Sequence, residues 1–163
     1  MTTRFGLASD HAGFDLKLEI KKYLEDEFSI ETTDFGTYSR ESTATAPYAE
    51  KLGVALLKGE IDYGILICGT GVGMSIAANK IPGVRAAVCS EPFSASMAKM
   101  HNNANVLCFG ARVVGLGLAK LIVKAYVENV YEGGRHAERN AYLEVIEDKS
   151  DEYKQLKQDA ASD

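Results

Sequence analysis

The sequence has few cysteines and lacks any long apolar run. Its three cysteines, Cys68, Cys89 and Cys108, contain no Cys-x-x-Cys pair, and an odd number of thiols makes a poor disulfide framework. No apolar run approaches the roughly 20 residues that span a bilayer, and the N-terminus shows no signal-peptide pattern. These absences argue against a disulfide-stapled or membrane-spanning protein. We expect Cys89 and Cys108 to be buried thiols in a reducing compartment, which indicates a cytoplasmic protein.

Metal and nucleic-acid signals are also missing. The three histidines, His11, His101 and His136, have no metal-ligand spacing with the cysteines, so we expect neither a metal nor a cofactor. A net charge of −5 argues against non-specific nucleic-acid binding, although it leaves room for a local cationic pocket. The length of 163 residues suits one domain with one core. We assign 1–157 to that domain and 158–163, which lack apolar anchors, to a frayed tail.

Short apolar runs alternate with longer amphipathic segments. The apolar runs are predicted strands at 5–8, 28–35, 64–68, 85–89 and 105–110. The amphipathic segments are predicted helices at 15–25, from Pro47 onward, up to about 79, at 91–101, at 116–130 and from 137 to about 156. This alternation predicts an α/β fold with a parallel sheet covered by helices on both faces. Ligands bind beyond the carboxyl ends of the strands in such folds, so strand-end residues are the candidate site.

A glycine-rich loop joins the third predicted strand to a helix and reads Cys68-Gly69-Thr70-Gly71-Val72-Gly73. The glycines let the backbone approach a ligand and aim free amides at a phosphate or a developing oxyanion. The same amides favour a thiolate at Cys68, which can then act as a base or a nucleophile. The simpler alternative is a tight turn with no ligand.

Dinucleotide binding is the main rival function for this loop. The pattern is G-x-G-x-G followed by Met74, so the third glycine falls one position short of G-x-G-x-x-G. Glu91 lies 20 residues after Gly71, where a ribose-binding acid belongs. Against this function, the chain has no room for a separate substrate domain.

Other polar groups stand at predicted strand or helix ends. Asp10 and His11 follow the first strand, where they can bind hydroxyls or phosphate, or simply cap a helix. His101 ends the fourth helix and is either structural or catalytic. Arg135 and Arg139 are spaced i, i+4, so on a helix they share one face that either binds phosphate or is merely solvated.

Together these motifs resemble the ribose-5-phosphate isomerase B family, which includes galactose-6-phosphate and allose-6-phosphate isomerases. The resemblance covers about residues 4–150, and its most specific runs are ICGTGVGMSIAANK, ending at Lys80, and EGGRH, beginning at Glu132. It implies a three-layer, Rossmann-like α/β/α fold with a five-stranded parallel sheet and a C-terminal helical extension. It also implies a homodimer with active sites between subunits, with a tetramer built from two such dimers as the alternative.

The resemblance implies an aldose–ketose isomerase of the pentose phosphate pathway. Such an enzyme interconverts ribose 5-phosphate and ribulose 5-phosphate through a cis-enediolate. Cys68 matches the base, because Met74 occupies the place of the glutamate that the other family type uses. His101 matches the ring-opening acid, and Thr70 and Asp10 match further catalytic positions.

The implied substrate-binding residues are Asp10, His11, Gly69, Thr70, Gly71, Val72, Gly73, Asn102, Arg112, Arg135 and Arg139. Among these, the three arginines match the phosphate-binding positions. One stretch departs from the family pattern: where Asp-Tyr-Pro is common, this chain reads Thr43-Ala44-Thr45-Ala46-Pro47-Tyr48. That departure leaves the chain length of the sugar open. An isomerase of a six-carbon aldose phosphate and a non-catalytic sugar-phosphate-binding protein therefore stay as alternatives.

Overall fold

The predicted apolar runs form five strands of one parallel sheet in the computed structural model, which describes residues 3–161. The strands are β1 (Arg4–Ser9), β2 (Glu31–Asp34), β3 (Tyr63–Cys68), β4 (Ala86–Val88) and β5 (Val106–Gly110). Their order across the sheet is β2-β1-β3-β5-β4, and every pair is parallel. The prediction of an α/β fold with a five-stranded parallel sheet is confirmed.

Helices follow the strands within the first of two compact units, which divide after Tyr131. The helices of this unit are α1 (Phe14–Phe28), α2 (Ala46–Leu57), α3 (Val72–Ala78), α4 (Pro92–Met100) and α5 (Leu116–Val127). The second unit contains α6 (Arg135–Asp148) and α7 (Ser150–Asp159), which correspond to the predicted helical extension. The assignment of 1–157 to a single domain stays a prediction. None of the helices in the described part of the chain is both long and apolar enough to cross a membrane.

Alternating residues of β3 are buried in two separate hydrophobic cores. Ile65 and Ile67 are buried on one face of the sheet, together with apolar residues of α1, α4 and α5. Leu66 and Cys68 are buried on the other face, with residues of α2 and α3. A strand whose side chains are buried on both faces reads as a continuous apolar run, as this one does. The predicted three-layer arrangement is confirmed.

The predicted second strand begins too early. Helix α1 continues through Phe28, whose ring makes an edge contact with Tyr23 of the same helix at 5.5 Å between centroids. Ser29 then adopts a left-handed conformation at φ 53°, and its N–H donates to the Leu24 carbonyl, which ends the helix. Strand β2 therefore starts at Glu31 rather than at Phe28.

The predicted last helix is two helices. Lys149 leaves helical geometry at φ −86° and ψ 8°, and its carbonyl accepts a hydrogen bond from Tyr153 that starts α7. Helix α7 continues through Asp159, so the predicted tail at 158–163 begins inside a helix. The last two residues of that tail, 162–163, lie outside the described residues.

A crevice opens between the carboxyl ends of β1 and β3. These strands are neighbours, but the helix that follows β1 covers one face of the sheet and the helix that follows β3 covers the other. Connections that leave adjacent strands in opposite directions create the switch point at which α/β folds bind ligands. The residues that follow Ser9 and those that follow Ile67 are therefore placed at the candidate site.

Candidate functional site

The loop after β1 lies directly on the end of β3. The Asp10 N–H donates to the Ile67 carbonyl at 3.2 Å. Gly13 approaches the same carbonyl so closely that any Cβ at this position would clash with it. The two strand ends thus form one continuous backbone surface, with Asp10 and Cys68 on either side of the crevice.

Cys68 is nearly buried and receives a hydrogen bond from the loop that it begins. The Gly71 N–H donates to Cys68 Sγ at 3.1 Å. Gly71 sits at φ 83°, and a Cβ there would lie 2.9 Å from the Phe109 backbone, so both conformation and space require glycine. An N–H aimed at the sulfur stabilises negative charge on it. The loop therefore places a backbone donor directly against the Cys68 sulfur.

The other two thiols are in different surroundings. All three cysteines are free, and Cys89 and Cys108 are buried as the sequence predicts. Burial, and secondarily the negative charge of Glu91, raises the pKa of Cys89 to about 11. Burial likewise raises the pKa of Cys108 well above its ordinary value. Both groups stay protonated near neutral pH, so neither is suited to act as a base.

The glycine loop is braced by the segment after β5. Ala111 N–H donates to the Cys68 carbonyl at 2.8 Å, and Arg112 N–H donates to the Gly69 carbonyl at 3.0 Å. A Cβ on Gly69 would lie 3.4 Å from Arg112 Nη1, so the guanidinium lies against the loop. Gly110 is equally required, because a Cβ there would lie 2.5 Å from Thr70 Cα. The structure thus brings one predicted phosphate-binding arginine to the loop.

Thr70, Val72 and Gly73 of the loop are exposed. Thr70 is exposed, and its hydroxyl oxygen accepts the Val72 N–H at 3.3 Å. Gly73 lies in the first turn of α3, and a Cβ there would be 3.7 Å from Thr45 Cγ2. Exposed backbone on this side is available to a ligand.

Asp10 and His11 are held in place by the stretch that departs from the family pattern. Asp10 Oδ1 accepts the Ala12 N–H at 2.9 Å, and its Oδ2 accepts the Thr45 hydroxyl at 3.1 Å. The Thr43 N–H donates to His11 Nδ1 at 3.2 Å. With Nδ1 accepting, the neutral His11 ring carries its proton on Nε2. Sequence reasoning missed both threonines, although the departure from Asp-Tyr-Pro marked their loop.

Tyr48 completes this group. Its hydroxyl lies 3.3 Å from Thr43 Oγ1. A hydrogen bond with Thr37, and a second with Thr43, lower the pKa of Tyr48. The hydroxyl is a second polar contact that the sequence did not assign to the site.

His101 and Asn102 lie at the opposite edge of the sheet. Helix α4 follows the carboxyl end of β4 and returns toward the amino end of β5, and His101 caps its C-terminal end. Arg85, which precedes β4, donates from Nε to the Asn103 carbonyl at 2.8 Å, which fixes this segment at the amino edge. Strand β5 has five residues, a length of roughly 16 Å at about 3.3 Å per residue. One chain therefore does not bring His101 to Cys68.

Arg135 and Arg139 belong to the second unit. Both are exposed on α6, at its first and fifth positions, so they share one helix face as predicted. His136 between them lies 3.4 Å from Glu132, measured from Nε2 to Oε2. The two arginines together form a cationic surface suited to an anion.

The chain is similar to known sugar-phosphate isomerases over most of its length. It matches the Ribose/Galactose Isomerase family model over residues 5–143. It is 53% identical over 144 residues to ribose-5-phosphate isomerase B of Escherichia coli, covering 88% of this chain and 96% of that protein. It is 42% identical over 135 residues to D-erythrulose-4-phosphate isomerase of Pectobacterium atrosepticum, covering 80% and 86% respectively.

Solved structures show the same similarity. Ribose-5-phosphate isomerase B of Clostridium thermocellum superposes with a TM-score of 0.88 at 47% identity, covering 90% of this chain and 99% of that one. The type B ribose 5-phosphate isomerase of Trypanosoma brucei gives a TM-score of 0.86 at 37% identity, covering 90% and 99%. The chain belongs to the ribose/galactose isomerase family.

Proposed function

We propose that this chain is an aldose–ketose isomerase that interconverts ribose 5-phosphate and ribulose 5-phosphate without a cofactor. The observation that carries the proposal is the Gly71 N–H aimed at Cys68 Sγ, at the switch point of the sheet and beside a loop of exposed amides. Family membership supports the reaction class, and the ribose-5-phosphate isomerase B relatives support the five-carbon substrate.

The reaction needs one base that serves two neighbouring carbons. The Cys68 thiolate removes the proton from C2 of the open-chain aldose, and the electron pair moves toward O1 to give a cis-enediolate. The resulting thiol returns the proton to C1, while the proton on O2 passes to O1, so that O1 becomes a hydroxyl and C2 becomes the ketone carbon. A positioned base contributes typically about 10²–10⁴-fold to such a step.

Backbone amides of the glycine loop stabilise the intermediate. We assign the enediolate oxygens to the side of the loop on which Thr70 and Gly73 are exposed, because the Gly71 N–H already points at Cys68 Sγ and the Val72 N–H at the Thr70 hydroxyl. Donors of this kind are worth about 10²–10³-fold each when they are fixed before the reaction. The close contacts that hold Gly71 and Gly110 against neighbouring backbone supply that rigidity.

Asp10 and His11 orient the sugar hydroxyls on the other side of the crevice. The Asp10 carboxylate is already held by the Ala12 amide and the Thr45 hydroxyl, so it accepts a sugar hydroxyl without reorganising. His11 donates from Nε2, because Thr43 occupies Nδ1. Both residues act by positioning.

A second copy of the chain supplies the ring-opening acid. His101 and Asn102 lie at the amino edge of the sheet, whereas the base lies at the carboxyl edge. We therefore assign the active sites to the interface of a homodimer, with Cys68 from one subunit and His101 from its partner.

The phosphate group is held by arginines. Arg112 lies against the glycine loop, and Arg135 and Arg139 share a face of α6. Guanidinium groups bind phosphate oxygens through paired N–H donors, and each such bond contributes roughly 1.5–3 kcal/mol. His11 Nε2 adds a further donor.

A substrate of another chain length is the main alternative. The Pectobacterium relative is named for a four-carbon phosphate, and the family description includes galactose. The Thr43–Thr45 contacts with Asp10 and His11 determine how much room the sugar end of the crevice leaves. One assay of several aldose phosphates distinguishes these alternatives. It can show turnover of a six-carbon substrate such as allose 6-phosphate or galactose 6-phosphate, or binding without catalysis.

Cellular context follows from the thiols and the charge. Three free cysteines suit the reducing cytoplasm, which we propose as the compartment. The net charge of −5 gives no support for a nucleic-acid partner.

The test is turnover with four-, five- and six-carbon aldose phosphates, followed as appearance of the ketose. We expect the highest kcat/KM with ribose 5-phosphate, and loss of turnover in Cys68→Ser but not in Cys89→Ser. Binding of ribose 5-phosphate with no ketose formed from any of these sugars would establish the non-catalytic alternative.

A further inference from the structure

A second cavity opens at the amino edge of the sheet, on the side opposite Cys68. Its volume is about 250 Å³. Its apolar walls include Phe5 of β1, Phe28 at the end of α1 and Tyr63 at the start of β3. Lys99 of α4 is the charged residue among the described residues that line it. No residue that we assign to the isomerase site lines this cavity.

Lys99 is buried among aromatic rings. Lys99 is only 3% exposed. Its Nζ lies 2.8 Å from the centroid of the Tyr63 ring and 4.8 Å from that of the Tyr126 ring. The Phe5 ring packs at a tilt of 38° against Tyr63, at 5.4 Å between centroids, which extends the aromatic wall. Aromatic faces attract a cation, but they do not replace an anionic partner.

No carboxylate within residues 3–161 forms an ion pair with Lys99. Burial alone lowers the pKa of this lysine to about 7, with no contribution from a neighbouring charge. A buried charge is normally paired or neutralised, because leaving it unpaired in a medium of low polarity is costly. The ammonium thus lines a cavity in which an anion would be stabilised.

The other buried lysine of the described chain, Lys17, has an anionic partner. Lys17 is fully buried, and its Nζ donates to Asp34 Oδ1 at 2.5 Å and to the Thr37 carbonyl at 2.6 Å. Those contacts give two of its three N–H donors an oxygen partner, one of them a carboxylate. Around Lys99 the corresponding space is the cavity.

We propose that this cavity binds a small carboxylate with an aromatic or aliphatic body, whose carboxylate pairs with Lys99. The apolar body packs against Phe5 and Phe28, and Ser29 lies at the wall for a further polar contact. Since a water molecule occupies about 30 Å³ of liquid volume, the cavity has room for a molecule the size of benzoate.

Benzoate and its neutral analogue benzamide are matched probes for this site. Calorimetric titration of the wild-type protein should show benzoate binding, with benzamide weaker by about tenfold or more, since a charge-assisted hydrogen bond is lost. Lys99→Met, which approximately keeps the length of the side chain, should weaken the binding of benzoate by a similar factor. Lys120→Met is the control, because Lys120 lies over the Tyr23 ring outside this cavity. This variant should bind benzoate like the wild type.

A second measurement uses the unmodified sequence. Trace acetylation with acetic anhydride at neutral pH, read by peptide mass spectrometry, should show benzoate protecting Lys99 and leaving Lys58 and Lys120 unaffected. Ribose 5-phosphate at saturation should not displace benzoate, which separates this site from the isomerase site. Equal binding of benzoate and benzamide, unchanged benzoate binding in Lys99→Met, or absence of protection at Lys99 would each overturn the proposal.

Discussion

The two edges of the parallel sheet differ in how their polar groups are satisfied. At the carboxyl edge, Cys68 and Asp10 each accept backbone amides, and neighbouring glycines hold that backbone rigid. At the amino edge, Lys99 is surrounded by aromatic rings, and His101 caps a helix far from the base. The first edge is organised to stabilise negative charge, and the second supplies cationic or proton-donating groups. In the function that we propose, catalysis therefore combines the carboxyl edge of one chain with the amino edge of a second chain.

The largest expected effect on turnover comes from replacing the proposed base, which lies at the carboxyl edge. We expect Cys68→Ser to fold normally but to lose about 10³-fold or more in kcat, because a serine hydroxyl is too weak an acid to supply the same base. Sugar phosphate should still bind. Cys89→Ser is the control, since that thiol stays protonated and should retain turnover. Near-native kcat in Cys68→Ser, measured on ribose 5-phosphate, would contradict the assignment.

The amino edge is tested by His101→Asn. If His101 opens the furanose ring, turnover of cyclic ribose 5-phosphate should fall by about 10²-fold, within the range for acid–base catalysis. A substrate presented as the open chain should lose much less. Stopped-flow comparison of the two forms measures the difference, and equal losses on both would assign His101 a structural role.

Removing a phosphate-binding arginine should have an intermediate effect. Arg139→Ala should lower kcat/KM for ribose 5-phosphate by about 10–100-fold, since charge-assisted hydrogen bonds are lost, and should hardly change the residual reaction with ribose. Inorganic phosphate should compete with the substrate. Lys154→Ala removes a cation from α7 and serves as the control. Changes smaller than about twofold in both Arg135→Ala and Arg139→Ala would exclude this phosphate site.

The loop contacts of Asp10 should contribute less. Thr45→Val removes the hydroxyl that donates to Asp10 Oδ2, and we expect kcat/KM to fall by roughly 3–10-fold, as for loss of one hydrogen bond. The ratio between five- and six-carbon substrates should shift, because this loop borders the sugar end of the crevice. Thr32→Val, on strand β2, is the control. An unchanged ratio of kcat/KM between five- and six-carbon substrates would show that Thr45 does not determine specificity.

Lys99 should affect stability rather than turnover. Because burial holds the pKa of Lys99 at about 7, below its ordinary value of 10.5, the unfolded chain binds more protons between these pH values. Wild-type stability should therefore rise with pH in this window relative to Lys99→Met. We expect the variant to melt several degrees higher at pH 6, and the gap to narrow by pH 9. A gap in Tm that does not change with pH would contradict the burial of a charged lysine.

The sequence predicts the sheet and the glycine loop well, because apolar runs such as 64–68 are buried on both faces. It does not predict the contacts of Thr43 and Thr45, since an irregular loop has no periodicity and its partners lie over 30 residues away. The break at Lys149 and the extension of α1 through Phe28 are equally invisible, because both depend on local geometry rather than on apolar spacing.

The shared active site is tested most directly by mixing two inactive variants. Cys68→Ser and His101→Asn are purified separately, unfolded together at equal concentration, refolded and assayed on ribose 5-phosphate. A mixed dimer then has one site with an intact Cys68 from one subunit and an intact His101 from the other. Since half of the dimers are mixed and each has one working site, we predict recovery of about a quarter of wild-type activity. No recovery, from a mixture shown by mass spectrometry to contain mixed dimers, would contradict a site shared between chains.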